Sequence, residues 1–241
     1  SVYFRDSIAL RESYPKFFEY VNQLRPDWLI LESATPSWAH DAKLIELLKR
    51  NFPEMKIIIT GPITSKAQEL LEKHPIHACV RGEYEKGVVN VLKGAEGVVD
   101  FNLLTKEEMN SSPYPWLDAQ HALRYFDCNP RGQTFPHAQV WSSRGCPFKC
   151  IFCVWPATMT GNDPDGTGTR SVRHYTPDYM EGFLKEITSR YPYKSIYFDD
   201  DTFNLGNSHV LKMCEVMRKI NLPWSAMCRA DTSKMETWAI M

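Results

Sequence analysis

Over the first 95 positions, apolar residues alternate between short unbroken runs and runs spaced three and four apart. Trp28-Leu29-Ile30-Leu31 and Met55-Lys56-Ile57-Ile58-Ile59-Thr60 read as strands, with Ala78-Cys79-Val80 a shorter one and Val2-Tyr3-Phe4 another at the start. Between them, Phe17, Phe18, Val21 and Leu24 mark the face of one helix, and Leu44, Ile45, Leu47 and Leu48 that of a second. Leu70 and Leu71 belong to a third helix, capped by Thr64 or Ser65, and Val88, Val89, Val91 and Leu92 to a fourth. Apolar strands separated by amphipathic helices predict a parallel sheet covered on both faces. In such sheets a ligand crevice lies beyond the carboxyl ends of the strands. Those ends carry Glu32-Ser33-Ala34-Thr35-Pro36, Gly61-Pro62-Ile63-Thr64 and Arg81-Gly82-Glu83-Tyr84. Small residues there let a backbone approach a large ligand, although ordinary βα turns would look the same.

The pattern breaks over residues 96–135. Asn110-Ser111-Ser112-Pro113-Tyr114-Pro115 and Asn129-Pro130-Arg131-Gly132 are rich in turn formers, so this stretch reads as a linker with one short helix near Leu117 to Leu123. From Ala138 the alternation resumes. Ala138-Gln139-Val140-Trp141 reads as a strand ending at a cysteine-bearing loop. Thr176 caps a helix begun by Pro177. Ser195-Ile196-Tyr197-Phe198 is a strand running into Asp199-Asp200-Asp201, Ser208 caps the next helix, and Trp224-Ser225-Ala226-Met227 is a third strand ending near Arg229. The chain therefore reads as two α/β domains, 1–95 and 136–241, joined by the linker. The start already reads as a strand without an initiator Met, and Met235, Trp238 and Met241 keep helical spacing to the last residue. Both ends thus read as internal to a longer protein.

Composition narrows the function. The 241 residues are 43% hydrophobic, and 28 basic against 29 acidic residues leave a net charge of −1, so nucleic acid is not an expected partner. No apolar run approaches the ~18 residues of a membrane span, and no signal-peptide pattern opens the chain. Seven cysteines in such a chain read as reduced thiols of a cytosolic protein. Cys79, Cys128, Cys214 and Cys228 have no mutual metal-site spacing and read as small buried hydrophobes.

The other three are different. Cys146, Cys150 and Cys153 form a C-x3-C-x2-C triplet within Arg144-Gly145-Cys146-Pro147-Phe148-Lys149-Cys150-Ile151-Phe152-Cys153. Thiolates select zinc or iron–sulfur centres, and an electron-transfer cluster ordinarily uses four cysteines. Three would leave one iron open for a substrate or second cofactor. A structural zinc site would need a fourth ligand; His137 and His174 are candidates, neither at finger-like spacing.

With its aromatic Phe152 and its place after the first strand of a βα series, the triplet resembles the cluster motif of the radical S-adenosylmethionine superfamily. The resemblance implies a partial TIM-like barrel, entered here at about residue 136, and a [4Fe–4S] cluster on Cys146, Cys150 and Cys153. The open iron would chelate S-adenosylmethionine, whose reductive cleavage yields a 5′-deoxyadenosyl radical. It further implies an external electron donor of flavodoxin or ferredoxin type, and Phe152 beside the adenine. The superfamily often has a Gly-Gly-Glu-like element for the methionyl ammonium; here the matching stretch has no glycine. Asp199 or Asp200 is the expected acceptor, with Asp201 as a cap or substrate contact, and Arg229 is the expected partner of the methionyl carboxylate.

The first domain is similar to the flavodoxin/Rossmann-like cobalamin-binding domain fused to one branch of this superfamily, through the strand at Pro26 to Glu32, Gly61-Pro62-x-Thr64 and Arg81-Gly82-Glu83-Tyr84-Glu85. The Asp-x-His-x-x-Gly signature of other cobalamin proteins is absent, which implies cobalamin held without a protein imidazole. The function this implies is cobalamin-dependent methyl transfer, or carbon-skeleton rearrangement or cyclisation, on an unidentified small molecule or peptide. The alternatives are a radical enzyme with a scaffold domain in place of the cobalamin domain, and a non-enzymatic zinc or thiolate module. Gly161 to Gly168 reads as a surface loop that could cover the site.

Overall fold

The computed structural model describes residues 1–116, 118, 121–125, 134–153 and 170–241. The chain forms two compact units. One comprises Tyr14–Thr105 and Pro147–Ser171; the other comprises Ser1–Ser13, Lys106–Cys146 and Val172–Met241.

In the first unit, α1 (Tyr14–Leu24), α2 (Trp38–Asn51), α3 (Ala67–Lys73) and α4 (Tyr84–Leu92) alternate with β1 (Trp28–Glu32), β2 (Lys56–Thr60), β3 (Ala78–Val80) and β4 (Gly97–Val99). The four strands are parallel and lie in the order β1-β2-β3-β4. Successive side chains of a strand point to opposite faces. Ile57 and Ile59 accordingly enter a core with Val21, Ile45, Leu48 and Leu70, while Ile58 enters another with Ala78, Val80 and Val91. All three isoleucines are fully buried, each stabilising the unit by about 1.5–3 kcal/mol. That two-sided burial is why the run is continuously apolar.

Three local expectations give way here. The helix assigned to Thr64 or Ser65 starts later, because Pro62–Lys66 winds as a 3₁₀ turn before α3. Gly61 enters that turn at φ 86°, where a Cβ would lie 2.6 Å from the Ser33 carbonyl oxygen; the ends of β1 and β2 approach too closely for any side chain. Thr64 donates its hydroxyl to the Gly61 carbonyl at 2.7 Å and does not cap α3. Secondly, β4 lies within the stretch expected to be linker, and its register on β3 sets Ala78 opposite Gly97. Thirdly, Val2-Tyr3-Phe4 forms no strand; Val2 is 98% exposed. Without a ladder to complete, its backbone gains nothing from extended pairing.

The second unit contains α5 (Lys106–Ser111), β5 (His137–Val140), β6 (Ser143–Arg144), β7 (Arg173–His174), α6 (Pro177–Arg190), β8 (Ser195–Phe198), α7 (Asn207–Ile220), β9 (Trp224–Ala226) and α8 (Met235–Ile240). Strands β5, β8 and β9 form a parallel sheet in that order, and β6 and β7 an antiparallel pair with Ser143 opposite His174. One sheet face sends Ala138, Val140, Ile196 and Phe198 into a core with Met180, Leu184, Ile187, Val210, Met213 and Met217 of α6 and α7. Thr176 caps α6 as expected, accepting from the Tyr179 amide at 3.3 Å. Ser208 is not a cap. Helix α7 begins two residues earlier than such a cap would give, at Asn207, with Gly206 before it at φ 81°, and Asn221 closes it in the left-handed conformation with its amide on Met217 O. Of the helix expected near Leu117 to Leu123, positions 117, 119 and 120 lie outside the described residues, and His121 to Leu123 form a hydrogen-bonded turn, with the Ala122 amide on Asp118 O at 2.8 Å; the loop Gly161 to Gly168 lies wholly outside them.

Leu184 is fully buried, whereas Leu47 on α2 is 41% exposed. Leu184→Ala should lower stability by about 2–5 kcal/mol through transfer loss and cavity, and Leu47→Ala by no more than about 0.5 kcal/mol. Urea denaturation of the two variants beside the parent checks the contrast.

Candidate functional site

The alternation of β8 carries past its end and separates the three aspartates. Tyr197 and Asp199 lie on one side, where the Tyr197 hydroxyl donates to Asp199 Oδ1 at 3.0 Å and Gln139 Nε2 to Oδ2 at 2.6 Å. Asp199 is half-buried. Asp200 turns the other way and is 2% exposed. Its carboxylate accepts the Ser142 amide at 3.0 and 3.1 Å, the Ser142 hydroxyl at 3.0 Å and the Ser143 hydroxyl. Burial pushes its pKa up, opposed by these donors from Ser143 and Ser142. Asp201 reaches solvent, yet lost hydration, then the charges of Asp200 and Asp199, push its pKa up to about 6 against a bond from the Gly145 backbone.

The cysteine loop leaves β6 directly after these serines. Gly145, at φ 91°, makes the turn into Cys146, a conformation costly for any residue with a Cβ. In this unit Cys146 Sγ lies 3.7 Å from Thr202 Oγ1. In the other unit, the Cys153 amide donates to Cys150 O at 3.0 Å, closing a reverse turn, and Arg170 donates to the Phe148 carbonyl at 2.7 Å. All three cysteines are half-buried, free of disulfides and outside regular elements apart from that turn. The Phe152 side chain between them is 85% exposed. Among the described residues, no three His, Cys, Asp or Glu side chains converge as a metal site. As a donor set, three cysteines within eight residues suit a thiolate-held iron–sulfur cluster. The expected fourth zinc ligands sit elsewhere: His137 is buried on β5 against Phe135 and Tyr197, and His174 stacks on His209.

Arg229 lies three residues beyond β9, with its guanidinium on Asp231, Nε to Oδ1 at 3.0 Å and Nη2 to Oδ2 at 2.8 Å. Buried Asn204 grips the same residue by its backbone, accepting the Arg229 amide at 2.9 Å and donating to its carbonyl at 2.7 Å. In the first unit, the polar groups at the strand ends bond among themselves. Ser33 and Ser37 hydroxyls donate to Asp41 at 2.5 and 2.7 Å, buried Glu83 accepts the Leu104 amide at 2.9 Å, and Arg81 pairs with Asp100 at 2.9 Å while lying over Phe101. Thr35, Pro36, Ser37 and Tyr84 remain exposed there. These loops supply small residues and an aromatic for a broad ligand and no imidazole, a donor set that fits cobalamin only if protein leaves its cobalt uncoordinated.

Sequence reading missed Ser142, Ser143, Asn204 and His209. Two hydroxyls before Arg144-Gly145-Cys146 and an Asn after three aspartates were the available signals. His209 Nε2 lies 3.0 Å from Ser142 Oγ. The Ser142 hydroxyl spends its one proton on Asp200 Oδ1, so in the bond to His209 it is the acceptor and the Nε2–H tautomer the donor. Its ring stacks on His174 at 4.0 Å. Burial, then His174, Lys106 and Lys212, lower its pKa to about 3, and burial followed by Lys106 lowers that of His174.

No protein-family model matches the chain. It is 27% identical over 245 residues to an uncharacterized methyltransferase of Pyrococcus horikoshii, covering 94% of this chain and 51% of that protein. Over 159 residues it is 26% identical to the cobalamin-dependent radical SAM methyltransferase TokK of Streptomyces tokunonensis, covering 57% of this chain and 23% of that one. Over 192 residues it is 28% identical to the ribosomal protein uS12 methylthiotransferase RimO of Trichormus variabilis, 76% and 38% respectively. In fold it is similar to the radical S-adenosylmethionine methyltransferase TsrM of Kitasatospora setae, solved with tryptophan substrate and a SAM analog, with a TM-score of 0.65 at 13% identity over 98% of this chain and 50% of that one. The chain thus spans about half the length of the Pyrococcus protein and of TsrM, and at most two fifths of the other two.

The depressed histidines set a pH dependence. A half-buried neutral imidazole held below its usual pKa must charge as pH falls, and the unfolded chain takes up that proton more readily from about pH 6.5 downwards. Stability should therefore fall steadily between pH 6.5 and pH 3. His209→Gln removes that proton uptake, so its denaturation midpoint should drop less between pH 7.5 and pH 5 than the parent's; parallel drops would contradict the assignment.

Proposed function

We propose, from the membership of this chain in the radical S-adenosylmethionine superfamily, that it is the cofactor-handling part of a methyltransferase-type enzyme. The observation that carries this is the triplet Cys146, Cys150 and Cys153 with Phe152, placed after β5 and β6 on a loop that also meets the aspartate-bearing end of β8. The three thiolates would hold a [4Fe–4S] cluster, which supplies the electron for cleaving S-adenosylmethionine when bound. Phe152, with its exposed ring, would lie beside the adenine. Of the two carboxylates assigned to the methionyl ammonium, Asp199 is the half-exposed one and Asp200 the enclosed one. Arg229 would trade its surface pairing with Asp231 for the methionyl carboxylate.

The finer architecture belongs to the same proposal: a cobalamin-binding domain over residues 1–95, a linker over 96–135, and the first part of a partial TIM-like barrel over 136–241. TokK, named for cobalamin dependence, and the small-residue strand ends of the first unit support cobalamin as the methyl carrier. A reduced flavodoxin or ferredoxin type of donor would supply electrons in the cytosol, and the substrate would be a small molecule or peptide. No helix among the described residues is long and apolar enough to cross a membrane.

Anaerobic reconstitution of the full-length protein with iron and sulfide should give about four irons per chain and reductive cleavage of S-adenosylmethionine. Cys150→Ala should lose both. A Cys150→Ala protein that still assembles the whole cluster and cleaves the cofactor sinks the proposal. Hydroxocobalamin should co-elute with the full-length protein in gel filtration; elution of all corrinoid in the small-molecule volume would leave the first domain a scaffold.

A further inference from the structure

Three consecutive residues at the end of β8 hold three successive parts of the segment leading into Cys146. Asp200 binds the Ser142 amide and the hydroxyls of Ser142 and Ser143. Asp201 is bonded to the backbone of Gly145, and Thr202 Oγ1 lies 3.7 Å from Cys146 Sγ. The pairs 200 with 142 and 143, 201 with 145, and 202 with 146 run in one direction, so the two segments lie alongside each other. His209 on α7 also meets Ser142, Nε2 to Oγ at 3.0 Å. Ser142, Ser143, Asp200 and Thr202 are all buried.

We propose that Asp200 is a positioning residue for the cysteine loop and makes no contact with S-adenosylmethionine. This rests on the reading of Cys146 as a cluster ligand. A carboxylate at 2% exposure that accepts one amide and two hydroxyls has little room to receive an ammonium as well. What it can do is fix the strand residues from which Gly145 turns. The turn sets the direction of the Cys146 thiol, and Thr202, two residues from Asp200, meets that sulfur. Groups around a metal's ligands that orient them and hydrogen-bond to their sulfurs tune affinity and redox behaviour.

The test uses full-length parent, Asp200→Asn, Ser142→Ala and Ser143→Ala proteins, reconstituted anaerobically and reduced. The spectrum of the reduced cluster is recorded before S-adenosylmethionine is added, then cleavage kinetics are followed. Asn keeps the shape of Asp but turns an amide toward donors that need an acceptor. All three variants should show an altered cluster spectrum in the cofactor-free state, Asp200→Asn the most. Cleavage by Asp200→Asn should fall by about 10–100-fold, the usual effect of losing such a support, with KM for the cofactor within about threefold of the parent. If Asp200→Asn does not fold, the two serine variants decide, since each removes one hydroxyl and leaves the carboxylate. Parent-like spectra in every folded variant would overturn the proposal alone, above all if Asp200→Asn raised KM tenfold. A parent protein that takes up no cluster would overturn both this proposal and the reading beneath it.

Discussion

A buried carboxylate organises the second unit. Asp200 follows the fully buried Phe198 by two residues, so its backbone is held by β8 and its charge has no route to water. Leaving such a charge without partners would cost several kcal/mol, more than most single contacts contribute. The fold meets the requirement by drawing Ser142 and Ser143 onto it from the end of β5 and the start of β6. Hydrogen bonds to a charged acceptor contribute about 1.5–3 kcal/mol each. Together they outweigh the packing freedom of the short β6–β7 pair, and the path of the chain into Cys146 follows from them.

The rest of the polar arrangement grows from the same strand end. Because side chains alternate, Asp199 takes Tyr197 and Gln139 on the opposite side, and Asp201 is left facing outward. Asn204 then closes the next turn by holding both backbone groups of Arg229. Three adjacent residues of one type thus occupy three environments, distinguished by the period of the strand and by what lies on each side of it. The helices α6 and α7 make this possible by sealing the apolar side of the sheet with Met180, Leu184, Val210 and Met213.

Much of this was legible in the chain. The isoleucine run of β2 declared a strand buried on both faces, and Thr176-Pro177 declared the start of α6, because each signal is local and physically unambiguous. Val2-Tyr3-Phe4 has strand composition but no partner, and composition alone cannot supply one. Pro62 and the left-handed Gly61 wound a 3₁₀ turn where a helix cap seemed due. The motif of Cys146, Cys150 and Cys153 was plain, while its support was not. The bonds from Asp200 to Ser142 and Ser143 span 58 and 57 residues, and no periodicity in a sequence marks a contact at that separation. His209 was hidden likewise, since on the pattern it was one polar position near the start of an amphipathic helix.

The chemistry proposed for this loop stands on three thiolates that would hold a cluster with one iron open to S-adenosylmethionine. Electron paramagnetic resonance of the reduced, reconstituted full-length protein, with and without S-adenosylmethionine, addresses it most directly. The expected result is a spin-half [4Fe–4S]⁺ signal whose g values shift when the cofactor is added, as they would if the cofactor became a ligand of the open iron. A signal indifferent to S-adenosylmethionine, or a protein that carries stoichiometric zinc and no iron, would contradict it.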